Sequence, residues 1–100
     1  MPRCKKKIRV KNRSGLHARP AALFVRLANT FRSRVWLRKG KESADGKSIM
    51  HLLSLAVEAG STVELVTYGS DAKEALKALS ELLKKDDEQE EPKRAKGVRN

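Results

Sequence analysis

Residues 14–22 read Ser14-Gly15-Leu16-His17-Ala18-Arg19-Pro20-Ala21-Ala22. A glycine turn feeds a helix here, and the order of all other elements follows from that junction. Pro20 falls in the first helical turn, where a missing N–H costs nothing. Ala21, Phe24, Leu27, Ala28 and Phe31 recur at helical spacing and predict a helix over 18–31 with one core-facing stripe. Ala22, Arg26, Asn29 and Ser33 take the wet face, and Leu23 lies at the border of the stripe.

On the N-terminal side, Cys4, Ile8 and Val10 alternate with Lys5, Lys7, Arg9 and Lys11. This is a strand with one solvated face, although Lys6 interrupts its apolar side. Asn12 to Gly15 is the turn. Beyond the helix, Arg34 to Lys39 reads as a strand, Gly40 as a turn, and Lys41 to Ala44 as a short returning arm. Ile49, Leu52, Leu53 and Ala56 predict a short helix from Ser48 to about Leu55. Thr62 to Tyr68 is a strand with Val63 and Leu65 on one face. Asp71 and Glu74 have capping-box spacing at the start of a last helix, whose stripe is Ala72, Ala75, Leu76, Leu79, Leu82 and Leu83. The order is β-α-β-β-α-β-α. One-faced strands and one-striped helices predict an α+β fold, an antiparallel sheet covered on one side only. The domain is expected over residues 1–85. Residues 86–100 lack apolar periodicity and read as a disordered charged tail.

Composition narrows the function classes. Hydrophobic residues make up 39% of the 100 residues but aromatics only 4%, so Leu, Val, Ile and Ala must build the core. The net charge is +11, concentrated in residues 1–47, which hold fifteen Lys or Arg against Glu42 and Asp45. Such a field favours acidic partners, phosphate groups or nucleic acid. Cys4 is the single cysteine, which excludes an intramolecular disulfide. No apolar run approaches the ~20 residues of a membrane span, and MPRCKKK has no signal-peptide core. No membrane insertion and a cytoplasmic location are therefore expected. His17, His51 and Cys4 are too scattered for a zinc site, and no P-loop or dinucleotide glycine motif occurs. Neither metal nor cofactor is expected.

His17 is the candidate for chemistry. A neutral imidazole exists in quantity near neutral pH and is a competent nucleophile toward phosphorus. The following helix turns its unpaired N–H groups toward that end, where they favour an added dianion. Arg19 can donate a charge-assisted hydrogen bond to a phosphate oxygen. Ser14 offers a hydroxyl, and Gly15 lets the backbone come close. By position alone, a histidine at a helix start is more often a cap or a surface residue, and a run of cations is usually a solvated face.

The segment GLHARPAA resembles the active-site segment of HPr, the histidine-containing phosphocarrier of the phosphoenolpyruvate-dependent sugar phosphotransferase system. Gly46-Lys47-Ser48-Ile49-Met50-His51-Leu52-Leu53-Ser54-Leu55 resembles the family's regulatory-serine region, at the family's separation. The likeness spans about residues 3–84. It implies an open-faced sandwich of four antiparallel strands with three helices on one face. It implies a phosphoryl-group carrier rather than a stand-alone enzyme. His17 would be the phosphohistidine, loaded at Nδ1 by phosphorylated enzyme I and unloaded to the EIIA component of sugar permeases. Arg19 carries over as the phosphate partner, with Ser14, Gly15 and Ala18 around the phosphate. Ser48 carries over as the residue modified by HPr kinase/phosphorylase where that enzyme exists. Ala22, Leu23, Ile49, Met50 and Leu53 match the partner-docking patch, although core packing explains part of that group. A monomer is expected.

Two features depart from the family pattern: the strong basicity and the extension after Lys85. Both leave room for a regulatory paralogue acting through phosphorylation of His17 or Ser48. A small basic nucleic-acid-binding domain ranks behind both readings. Along the chain, Trp36 and Tyr68 make no aromatic-and-basic pattern of the kind that stacks bases, and nucleic acid is not an expected partner.

Overall fold

The computed structural model describes residues 1–11, 15–16 and 18–85. The elements are β1 (Arg3–Arg9), α1 (Ala18–Ala28), β2 (Arg34–Lys39), β3 (Glu42–Asp45), α2 (Ile49–Ser54), β4 (Thr62–Tyr68) and α3 (Ala72–Lys84). The strands pair antiparallel in the order β1-β4-β2-β3. Their register sets Ile8 opposite Val63 and Leu37 opposite Leu65. The inward face of the sheet therefore presents a continuous apolar layer. Phe24 and Ala28 of α1, Leu52 of α2, and Leu79 and Leu83 of α3 are buried in the same core. Burying each large side chain of this set contributes about 1.5–3 kcal/mol. The expected α+β architecture and element order are present, with β2 and β4 at their expected bounds. The segment 86–100, expected as a disordered tail, lies outside the described residues.

β1 is an edge strand, and Lys5, Lys6 and Lys7 on it are exposed. Charges on such an edge discourage pairing with another chain. Lys6, on the side of β1 that should be apolar, lies by the end of α3. Its ammonium lowers the pKa of Lys84, through their direct contact first and charge repulsion second.

Three local expectations need correction. α1 ends at Ala28 rather than near residue 31. Asn29 Nδ2 donates to Val25 O at 2.9 Å and Thr30 Oγ1 to Leu27 O at 2.7 Å. Val25 O also keeps its helical partner Asn29 N, but Leu27 O, which Phe31 N would have used in a longer helix, is taken by Thr30 through both N and Oγ1. Ser33, expected on the wet face, is buried. The capping box at Asp71 does not form either: Asp71 is the N-cap of α3, yet its side chain makes no cap bond. Instead the carboxylate accepts from Arg32 N and Ser33 N, each at 2.9 Å, and from Ser33 Oγ at 2.5 Å. Three converging donors outcompete one helix N–H. Gly69 allows this approach, since a Cβ there would stand 2.6 Å from Ser33 Oγ.

Asp71 thereby ties the entry of β2 to the start of α3. The Ser33 hydroxyl, followed by the Arg32 N–H, lowers its pKa from 3.8 to about 2. A carboxylate with a depressed folded pKa stabilises the fold above its unfolded pKa and loses that contribution as pH falls through the folded value. Melting of the parent should weaken between about pH 4 and about pH 2 from this source. Asp71→Asn should be less stable at neutral pH, and its deficit should shrink across that window. A constant deficit down to about pH 2 would contradict the assignment.

Candidate functional site

Among the described residues, Gly15 and Leu16 of the turn before α1 are held through their backbone. Gly15 has φ +75°, a conformation that glycine adopts freely. A Cβ there would stand 2.8 Å from both Ala59 N and Glu58 Cα. The turn and the segment after α2 thus touch main chain to main chain. Leu16 is buried, and its N–H donates to Val57 O at 2.9 Å. Two residues later α1 begins, with Pro20 and Ala21 buried and Ala18 and Arg19 exposed. Ser14 and His17 lie outside the described residues. In sequence, His17 links the anchored Leu16 to Ala18, the first residue of α1. No acidic residue occupies the first turn of α1. An anion arriving there meets the positive end of the helix dipole and no opposing carboxylate from that turn.

The second segment is positioned by another close approach. Gly46 is buried, and its N–H donates to Val35 O at 2.7 Å. A Cβ on Gly46 would stand 2.5 Å from Val35 Cγ1 and 3.1 Å from Phe24 Cε1. Lys47 Nζ donates to Phe31 O at 2.7 Å, joining this turn to the chain beyond α1. Ser48 then caps α2, with its hydroxyl accepting from His51 N at 3.3 Å.

α2 divides cleanly into two faces. Leu52 and Leu55 point into the core. Ile49, Met50 and Leu53 are 36%, 72% and 37% exposed. Core packing therefore does not account for these three, and Ala56, read as part of the apolar set, is exposed. α1 packs against α2, and on it Ala22 and Leu23 are half-buried. His51 is exposed on α2 and contributes its backbone N–H to the Ser48 cap.

One positioning residue escaped the sequence reading. Lys39, at the end of β2, donates through Nζ to Leu55 O at 3.2 Å and Ala56 O at 2.8 Å. A cation at the carboxyl end of α2 complements the helix dipole. It also holds a turn in which Ala56, not glycine, adopts φ +54°, a conformation costing about 1–2 kcal/mol for an L-residue. Only the pairing of β2 with β3 brings this lysine to α2, so no local pattern announces it. Among the described residues, no cluster of His, Cys, Asp or Glu is placed to hold a metal. No helix among them is long and apolar enough to cross a membrane.

Comparison with known proteins agrees with this geometry. The family model described as the PTS HPr component phosphorylation site matches residues 4–85. The HPr-like protein Crh of Halalkalibacterium halodurans is 47% identical over 81 residues, covering 81% of this chain and 96% of the relative. The phosphocarrier protein HPr of Neisseria meningitidis is 43% identical over 79 residues, covering 79% of this chain and 89% of the relative. The crystal structure of an HPr from Bacillus anthracis superposes with a TM-score of 0.81 at 42% identity, covering 84% of this chain and all of that one.

Proposed function

Because the chain belongs to the HPr family of phosphocarriers, we propose that it takes a phosphoryl group from phosphorylated enzyme I on His17 and delivers it to an EIIA component. The lone pair on Nδ1 of His17 attacks phosphorus. The new N–P bond forms as the bond to the donor breaks, and the donor keeps that electron pair. Delivery to EIIA is the same exchange in the opposite sense for His17.

The observation that carries this reading is the anchored turn. Gly15 and Leu16 are fixed on residues 57–59, and α1 opens just after them without an acidic residue in its first turn. Donors fixed by the fold at such a helix start would stabilise developing charge without reorganisation at the moment of transfer. The overall charge of +11 suits an acidic donor surface. Incubation with enzyme I and phosphoenolpyruvate, followed by mass measurement, tests the reading through uptake of one acid-labile phosphoryl group.

Arg19 stabilises charge developing on the transferred group rather than attacking it. Arg19→Ala should slow loading roughly tenfold to a hundredfold while leaving His17 able to fill at long times. Equal initial rates for parent and variant, measured by rapid quench, would remove Arg19 from this role.

Ser48 is the regulatory position in this reading. Its hydroxyl caps α2 beside the exposed Ile49, Met50 and Leu53. A phosphate of about −2 charge at a helix start is tolerated by the fold. The same charge beside the docking patch opposes an acidic partner. Ser48→Asp keeps an acceptor for His51 N, so melting should stay close to the parent's while transfer from enzyme I falls. A fully active Ser48→Asp protein that is also unmodified by an HPr kinase would leave Ser48 as a cap alone.

A regulatory paralogue is the second reading, favoured by the 47% identity to a relative named Crh. Loading on His17 without onward delivery to any EIIA would select it.

A further inference from the structure

The face of the sheet turned away from the helices carries a pattern that the linear sequence conceals. Register places Arg3, Tyr68 and Arg34 in one row across β1, β4 and β2. The next row is Lys5, Val66, Trp36 and Asp45, and the one after it Lys7, Glu64, Arg38 and Ser43. Residues alternate between faces along a strand. The alternate positions Ile8, Val63, Leu65, Val35 and Leu37 are the buried core, so these rows form the opposite face.

Charge on this face is strongly one-sided. Arg3, Lys5, Lys7, Arg9, Arg34 and Arg38 stand against Glu64 and Asp45. Both acids are engaged: Glu64 Oε1 lies 3.4 Å from Arg38 Nη1, and Asp45 Oδ1 accepts from Lys47 N at 2.9 Å. The row of Arg3, Tyr68 and Arg34 holds no acid, whereas Lys7 stands opposite Glu64 and the row of Lys5 ends at Asp45, two strands away.

Two aromatic side chains share the face, one on each central strand. Tyr68 is 41% exposed at the end of β4, and Trp36 is half-buried in β2. Trp36 pairs with Val66, which puts it diagonal to Tyr68. Diagonal partners in an antiparallel sheet stand about 7–8 Å apart, within reach of one another for large rings. Val66 between them is nearly covered, at 4% exposure. The aromatics and Val66 thus form a small apolar floor with cations around it.

We propose that this helix-free face binds single-stranded nucleic acid, with bases stacked on Tyr68 and Trp36 and phosphates held by Arg3, Lys5 and Arg34. A four-stranded sheet with aromatic rings on its central strands offers π faces to unpaired bases. The same face is a poor match to a duplex. Its outer strands stand about 14 Å apart at ordinary strand spacing, too broad for a groove about 12 Å wide that admits a helix or a two-stranded ribbon. An acidic protein would satisfy the cations but leave the ring pair without a specific partner. The face points away from α1 and α2, so this activity is separate from phosphoryl transfer.

The test uses the full chain and its single tryptophan, Trp36. Titration with single-stranded oligouridylate at about 0.15 M salt should quench Trp36 fluorescence, and a duplex of equal length should bind more weakly. In anisotropy measurements with a labelled oligouridylate, Tyr68→Ala and Trp36→Leu should each weaken binding about tenfold or more. Arg34→Ser should lower the slope of log K against log salt by about 0.7. His17→Ala should bind as the parent does. Thermal melting checks each fold, and should Trp36→Leu fail to fold, the exposed Tyr68→Ala variant decides. Unaltered binding by Tyr68→Ala, equal affinity for the duplex, or displacement by polyglutamate at matched charge would each overturn the proposal, as would absence of binding at that salt.

Discussion

His17→Ala should take up no acid-labile phosphoryl group from enzyme I at any incubation time, with melting close to the parent's. The loss is complete because the other histidine, His51, lies in α2 beyond the Ser48 cap and not at the mouth of α1. It lacks the fixed turn and the following helix start on which the proposed transfer to position 17 relies. The fold should survive because the anchors are Gly15, Leu16, Pro20 and Ala21, none of which is changed. Mass spectrometry under neutral conditions reads the uptake. Acid-labile label remaining on His17→Ala would move the acceptor elsewhere.

Gly15→Ala should damage both stability and transfer. The left-handed backbone at φ +75° alone costs about 1–2 kcal/mol for alanine. The new methyl would also stand 2.8 Å from Ala59 N and Glu58 Cα, with Val57 O closer still. Those are backbone atoms and cannot swing aside as a side-chain tip would. Either the turn lifts or residues 57–59 shift, and in both cases the Leu16–Val57 hydrogen bond is strained. The urea midpoint should fall with an unchanged m value, and loading by enzyme I should slow. A variant with the parent's midpoint and rate would show that the close approach is not needed. Gly40→Ala provides a contrast, because a Cβ there meets nothing within 4 Å.

Much of this architecture is legible in the sequence because the sheet is wetted on one side. Alternation in β4 and the compact run of β2 mark both strands at their observed bounds. The stripe of α3 is equally plain, since Ala72, Ala75, Leu79 and Leu83 are buried as spaced. Helix ends were harder to read. Thr30 takes Leu27 O, the carbonyl a longer α1 would have given to Phe31 N, a competition that apolar spacing does not register. Asp71 has the spacing of a cap, but its stronger donors come from residues 38 and 39 positions away in the chain. α2 is too short for its apolar set to define a face, so only the structure separates buried Leu52 from exposed Ile49 and Leu53.

The candidate site shows the same division. Gly15 and Pro20 mark the turn and helix start locally, and the GLHARPAA segment points to them directly. Lys39 became visible as the support of α2 only once β2 was paired with β3. The Trp36–Tyr68 diagonal needed the register of β2 on β4. Contacts made across strands carry no signature along the chain.

The relay itself is the central claim. The most direct measurement is to load the protein with enzyme I and phosphoenolpyruvate, remove the donor, add EIIA, and follow both protein masses with time. One phosphoryl group should appear on the parent chain and then move to EIIA, while His17→Ala neither gains nor passes one. A chain that stays unloaded, or a His17→Ala variant that still relays the group, would contradict the account.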